Sequence, residues 1–205
     1  MRKRSFINKL HEEGFLLFPC DEFNKPMLNV SNFRNEIIQF NEEMNLKIQN
    51  GTFNYSQNLA MLCGNRNNLV VVDVDKEFRG TSIWKDWLNR YNGGKDIETI
   101  KVETAGGGLH YYFQYQHEKF YHFESIYRPT FQTYGIAGID LIAENGYVIL
   151  PFTVRRNGNM YALKNYSSSL QIKEQIIPMP DWLFKLFEST KESMKNNNLK
   201  VNLRK

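Results

Sequence analysis

Two aspartates close together and a third further along the chain have the chemistry of a metal site. Asp73 and Asp75 follow the apolar run 69–72, and on a strand two residues spaced in this way project from one face. Carboxylates held together repel unless a cation neutralises them, and Mg²⁺ or Mn²⁺ prefers oxygen ligands. Asp140 lies in an apolar segment, where a shared metal ion would stabilise its charge. Each motif alone also fits a plainer structure: a solvated acidic pair at a strand end, or an aspartate hydrogen-bonded to a backbone turn.

A glycine-rich turn adds the chemistry of phosphate binding. Gly106, Gly107 and Gly108 leave successive backbone N–H groups open to phosphate oxygens, and His110 follows at the start of the next apolar segment. The same residues would also suit a flexible hairpin with an ordinary core histidine. Together with the three carboxylates, they predict a site that holds two divalent metal ions and a triphosphate.

The elements that must position these residues follow from apolar periodicity. An αβ N-terminal part precedes a mostly antiparallel sheet, which predicts an α+β fold. The chemistry-bearing segments belong to separate strands, so they can converge only if those strands pair. The apolar spacing predicts helices over 5–13, from Ser31 to Ile48, over 83–91 and from Asp181, and strands over 15–18, 58–63, 69–74, 98–103, 109–115, 139–142, 147–150 and 160–163.

The composition is that of a globular domain with a mild basic bias. The 205 residues are 41% hydrophobic and 23% charged, with a formal net charge of +4. We expect one catalytic domain over 1–190 and a polar, Asn- and Lys-rich tail over 191–205. Cys20 and Cys63 stand in apolar segments, so neither a disulfide framework nor a zinc site is expected. Without a secretory signal or a run of about 20 apolar residues, we expect a soluble, intracellular protein that is not secreted and does not enter a membrane.

In their order and context, these motifs resemble the archaeo-eukaryotic primase superfamily. The closer likeness is to its bifunctional primase–polymerase (Prim-Pol) branch, known from plasmids, phages and viruses. The resemblance rests on a strand that ends Asp-x-Asp, a Thr-x-x-Gly-Gly-x-His turn and a strand with an aspartate after an apolar residue. These motifs are Asp73–Asp75, Thr104–His110 and Ile139-Asp140, and the segments Gly14–Pro19, Lys25-Pro26, Asn145–Pro151, Asn157–Tyr161 and Ile177–Leu183 extend the likeness over most of the chain.

The resemblance implies an RRM-like catalytic antiparallel sheet packed with an αβ N-terminal lobe, with the active site in the cleft between them. It implies template-directed transfer of nucleotides from (d)NTPs onto a 3′-hydroxyl, with single-stranded DNA as template. Two Mg²⁺ or Mn²⁺ ions would be held by the three aspartates, and a replicative helicase would lie on another chain or a longer parent protein. The candidate residues are Asp73, Asp75 and Asp140 for the metals, and His110, Thr104, Gly106, Gly107, Gly108, Arg155, Arg156 and Lys25 for the nucleotide.

Three other functions stay open at this point. A glycosyltransferase also uses Asp-x-Asp to hold Mn²⁺ and a sugar nucleotide. A haloacid-dehalogenase phosphatase begins with a similar aspartate pair, although Glu77 stands where that motif has Thr or Val. A non-catalytic nucleic-acid-binding module could also be built on a primase fold. The sequence leaves open the balance of primer synthesis and extension, and the preference between dNTPs and NTPs.

Overall fold

The computed structural model describes residues 3–28, 33–121, 123, 138–144 and 146–190. The predicted tail over 191–205, Asn145 and the predicted helix start at Ser31 lie outside these ranges. Within them the fold is α+β, as the sequence predicts. The helices are α1 (Lys3–Glu12), α2 (Phe33–Gln49), α3 (Gly80–Tyr91), α4 (His117–Phe120), α5 (Ile172–Gln175) and α6, which begins at residue 181. The strands are β1 (Leu17–Cys20), β2 (Asn58–Leu62), β3 (Leu69–Val74), β4 (Lys101–Glu103), β5 (Leu109–Gln114), β6 (Ile139–Ile142), β7 (Tyr147–Ile149), β8 (Ala162–Lys164) and β9 (Ile177–Pro178).

Most predicted elements are present, but some bounds differ. The strand expected over 15–18 spans Leu17–Cys20 instead. The backbone N–H of Leu16 donates to the side chain of Asn67, so this residue is held by a side chain before the strand begins. The strand expected over 98–103 is confined to Lys101–Glu103. Helices α4 and α5 were not predicted, because four residues are too few to show helical periodicity.

Two sheets organise the chain. The strands β1, β2 and β7 form an antiparallel sheet, and a larger sheet has the order β6-β3-β5-β4-β8, with β9 parallel to the end of β5. Strand β3 is therefore central, with antiparallel neighbours on both sides. An interior strand is shielded along both edges and faces, which explains why its sequence is a nearly unbroken apolar run.

Each face of the larger sheet packs into its own core. Leu69 and Val71 of β3 belong to the core that includes α1, α2 and the smaller sheet. Val70 and Val72 belong to the opposite core, which is built with α3 and α6. Side chains alternate along a strand, so Asp73 shares the face of Leu69 and Val71. The candidate site therefore lies on the sheet face that turns toward the N-terminal elements.

Candidate active site

The sheet register brings three of the predicted residues side by side. Asp73 is paired with His110 of β5 on one side and with Asp140 of β6 on the other. Directly paired residues of antiparallel strands share a face, with their Cβ atoms about 5 Å apart. Asp73 Oδ1 lies 3.6 Å from His110 Nε2. Residues that are far apart in the sequence thus form one row across three strands.

Asp75 extends this row beyond the end of β3. Its backbone N–H donates to the carbonyl of Gly138 at 2.7 Å, which continues the β3–β6 pairing by one step. The alternation that places Asp73 on this face therefore reaches Asp75. The Oδ1 atom of Asp75 accepts a hydrogen bond from the backbone N–H of Glu77 at 2.8 Å and so closes the turn that leads to α3.

A close backbone contact, which was not predicted from the sequence, holds the two carboxylate-bearing segments together. A Cβ atom on Gly80, the first residue of α3, would lie 1.9 Å from the carbonyl oxygen of Gly138 and 2.5 Å from that of Asp75. Only glycine permits this approach. Gly138 itself has φ +78°, in the left-handed region that favours glycine. The start of α3 thus packs directly on the backbone that carries Asp75 and leads to Asp140.

His110 is a buried imidazole with opposing electrostatic influences. Burial lowers its pKa; the charge of Asp73 acts in the opposite direction, and that of Arg155 adds to the lowering. The net direction is downward, which favours the neutral ring. Within the described residues its Nδ1 atom has no hydrogen-bond partner. A neutral ring so placed can donate one hydrogen bond to an anion without adding a buried positive charge.

The glycine turn is organised by Thr104. Gly107 N–H donates to the carbonyl of Thr104 at 2.9 Å, and Gly108 N–H donates to its Oγ1 at 3.0 Å. Two of the three N–H groups expected to hold phosphate therefore bond within the turn, and the Thr104 hydroxyl holds the turn's shape. Gly108 has a further reason to be glycine, since a Cβ there would lie 2.5 Å from the carbonyl oxygen of Val74.

A polar cavity of about 550 Å³ opens beside this turn. Its walls include Thr104, Gly106 and Gly107, and its charged lining residues are the cations Lys76 and Arg155 and the carboxylates Glu77 and Glu103. The Nζ atom of Lys76 would lie 3.5 Å from a Cβ atom built on Gly107, so the ammonium group stands close over the turn. Lys76 was not among the residues predicted from the sequence, although its position directly after Asp75 was a usable signal. The cavity is large enough for a polyphosphate, and Lys76 and Arg155 offer cationic donors there beside the two carboxylates.

The three cations predicted from the sequence, Arg155, Arg156 and Lys25, occupy different surroundings. Arg155 faces the cavity, and its Nη2 donates to the hydroxyl of Tyr161 at 2.9 Å. The Arg156 guanidinium lies away from that cavity, with its Nε 3.0 Å from Glu22 Oε2. Lys25 is exposed on the turn after β1 and does not line the cavity. Of the three, only Arg155 is brought to the glycine turn.

The donor chemistry of the aspartates suits a hard divalent cation, because carboxylate oxygens are the ligands that Mg²⁺ and Mn²⁺ prefer. The side chains are not drawn together as a ligand set, however. Among the described residues, no group of three or more His, Cys, Asp or Glu side chains is positioned to hold a metal ion. Asp73 faces His110 and Asp75 caps its own turn. The backbone thus aligns the carboxylates, and side-chain rotation would be needed to converge them.

Comparison with known protein families yields one match. The family described as bifunctional DNA primase/polymerase, N-terminal (Prim-Pol), matches residues 9–182, which include every candidate site residue. No curated protein matches the chain. In the described part of the chain, no helix combines the length and apolar character needed to span a bilayer.

Proposed function

The chain belongs to the bifunctional DNA primase/polymerase family, and from this premise we propose that it transfers nucleotides from (d)NTPs onto a 3′-hydroxyl under the direction of a DNA template. The observation that carries the proposal is the row of Asp73, His110 and Asp140 across β3, β5 and β6, near a polar cavity lined by Lys76 and Arg155. Carboxylates near a phosphate-sized cavity that offers cationic donors are what metal-assisted nucleotidyl transfer requires.

Asp73, Asp75 and Asp140 are the residues proposed to hold two Mg²⁺ or Mn²⁺ ions. Such ions, when bound, activate the attacking hydroxyl and neutralise charge on the leaving pyrophosphate. Asp140 is only 8% exposed, and a buried carboxylate beside Asp73 is costly unless positive charge offsets the repulsion. Because Asp73 Oδ1 faces His110 Nε2, we expect the carboxylate to turn from the imidazole toward the cation, which leaves the imidazole N–H to the nucleotide.

The triphosphate is proposed to lie in the cavity beside the glycine turn. Lys76 and Arg155 supply positive charge from the cavity wall, and His110, on β5 directly after the glycine turn, supplies a neutral donor. Charge-assisted hydrogen bonds of this kind hold phosphate oxygens strongly. Thr104 acts by holding the turn, since its hydroxyl accepts from Gly108 N–H. Positioning and charge neutralisation then account for most of the rate acceleration.

Incorporation of labelled nucleotides on single-stranded DNA, with and without a primer and with either metal, tests this function. We expect Asp73→Asn and Asp140→Asn to lower the rate by about a hundredfold or more, since each removes a charged ligand. Asp86→Asn, which changes an exposed carboxylate on α3, is the matched control and should leave the rate unchanged. Lys76→Ala should raise the KM for the nucleotide more than it lowers kcat.

Metal binding is measured separately, by Mn²⁺ titration followed by electron paramagnetic resonance. Loss of bound Mn²⁺ in the Asp73 and Asp140 variants, but not in the Asp86 variant, would support the assignment independently of turnover. Wild-type incorporation by either site variant would refute it. If DNA were bound without synthesis under every condition, the chain would be a non-catalytic nucleic-acid-binding module.

A further inference from the structure

A second cavity, of about 370 Å³, adjoins the first and carries an exposed aromatic ring. It shares Arg155 and Asn157 with the cavity beside the glycine turn. We propose that Phe23 and Arg156, together called the Phe23 platform, stack an unpaired base of single-stranded DNA that leads to the nucleotide site. This inference rests on the proposed function and specifies where the single-stranded DNA template binds. The remaining walls are formed by Glu22 and Asn24.

The loop that carries Phe23 is held in one shape by hydrogen bonds. Asp21 Oδ1 accepts from the backbone N–H of Phe23 at 2.9 Å and from that of Lys25 at 2.8 Å. Asp21 N–H also donates to the carbonyl of Lys25 at 2.9 Å, and a bridge between Cys20 and Pro26 closes the loop. A ring presented on a pre-organised loop binds a ligand with little further loss of conformational entropy.

The Phe23 ring is exposed to solvent and lies beside a cation. Phe23 is 59% exposed, and a single exposed apolar side chain is ordinary on a protein surface. Phe23 lines the cavity, and the guanidinium carbon of Arg156 lies 5.1 Å from its ring centroid. The guanidinium covers part of the ring and leaves the rest open beside the cavity. Aromatic rings with an adjacent arginine are the surfaces on which unpaired bases stack.

The charges around the ring favour a phosphate-bearing strand over an apolar peptide. Arg156 pairs with Glu22 at 3.0 Å, but these side chains are 68% and 58% exposed. An ion pair so open to water is weak, so a backbone phosphate can replace the carboxylate as the partner of the guanidinium. Arg155 stands in the shared wall, and Lys25 is exposed on the same loop. A strand stacked at Phe23 would therefore meet cations on its path toward the nucleotide.

Fluorescence anisotropy with labelled oligothymidylate measures the platform directly. Removal of one stacking ring should weaken binding by roughly 5- to 100-fold in Phe23→Ala, whereas Phe23→Trp should bind at least as tightly as the wild type. Glu22→Gln frees Arg156 and should tighten binding severalfold. Tyr121→Ala is the matched control, because Tyr121 is also 54% exposed but follows the opposite end of β5 from His110.

Oligonucleotides with a single abasic site moved along the strand locate the stacked base. The wild type should bind less tightly when the abasic site occupies one particular position, and the affinity of Phe23→Ala should not change when the abasic site is placed there. Equal sensitivity in the two proteins would overturn the platform, as would a raised nucleotide KM in Phe23→Ala with unchanged DNA binding. Phe23→Leu, which keeps apolar volume but loses the ring, should behave like Phe23→Ala. Nucleotide incorporation by the same proteins is measured in a separate assay. If the wild type binds DNA with the expected sensitivity to one abasic position but synthesises no product, the proposed function is refuted and the Phe23 platform is not.

Discussion

Replacement of Gly80 by alanine should destabilise the protein even though alanine is the better helix former. In a helix interior the exchange favours folding by about 1 kcal/mol. Here the new Cβ would lie 1.9 Å from the carbonyl oxygen of Gly138, and an ordinary contact requires a shift of about 1.5 Å. That shift would separate α3 from the segment that includes Gly138 and break the 2.7 Å hydrogen bond from Asp75. The overpacking and the lost hydrogen bond together cost about 3–5 kcal/mol, so we expect a net loss of about 2–4 kcal/mol.

Urea unfolding followed by tryptophan fluorescence measures this loss, because Trp84 of α3 is buried in the adjacent core. The matched control is Thr81→Ala, an exposed change in the same helical turn, which should alter the free energy of unfolding by less than about 0.5 kcal/mol. Nucleotide incorporation by Gly80→Ala, assayed below its unfolding transition, should fall because Asp75 moves relative to Asp140. A Gly80→Ala protein as stable as the wild type would refute the close contact between α3 and the two carboxylate-bearing segments.

Two further predictions concern the N-terminal half. Burial, aided by the charge of Asp21, raises the pKa of Cys20 to about 12, and burial likewise raises the pKa of Cys63. At pH 8 both thiols should therefore resist a thiol reagent in the native protein and react fully once it is unfolded; fast native labelling would contradict their burial. Asn67→Ala removes hydrogen bonds to both backbone groups of Leu16 and should cost about 2–4 kcal/mol in urea unfolding, whereas the exposed neighbour Asn65→Ala should be neutral. Equal midpoints for the two variants would refute this role.

The order of motifs and the main elements could be predicted because they depend on local chain chemistry. Alternation along 69–75 shows that Asp73 and Asp75 share a face, since side-chain direction on a strand repeats every two residues. Helical spacing identified α2 and α3 for a similar reason. The family resemblance added that Asp140 and His110 join them, and the Prim-Pol match confirms the family.

Local periodicity does not specify register, and register decides which residues meet. The pairing of Asp73 with both His110 and Asp140 depends on how two antiparallel strands are aligned, and a slip of one residue would turn each side chain to the other face. Likewise, Arg155 and Arg156 are adjacent in sequence but have different partners. Arg155 donates to Tyr161 and lines the cavity beside the glycine turn, whereas Arg156 pairs with Glu22.

The close contact at Gly80 and the approach of Lys76 to the glycine turn were decided by tertiary structure. A side chain on Gly80 would clash with two carbonyl oxygens, one of them from a segment distant in sequence. Lys76 gains its proposed role because its side chain lies close to the glycine turn. Thr104, predicted at the nucleotide, lines the cavity, and its hydroxyl accepts a hydrogen bond from Gly108 N–H within the turn. Sequence patterns thus determined which groups are available and which face each strand offers, because those follow from backbone geometry. Packing between distant segments decided which of those groups meet, because close contacts depend on the whole fold.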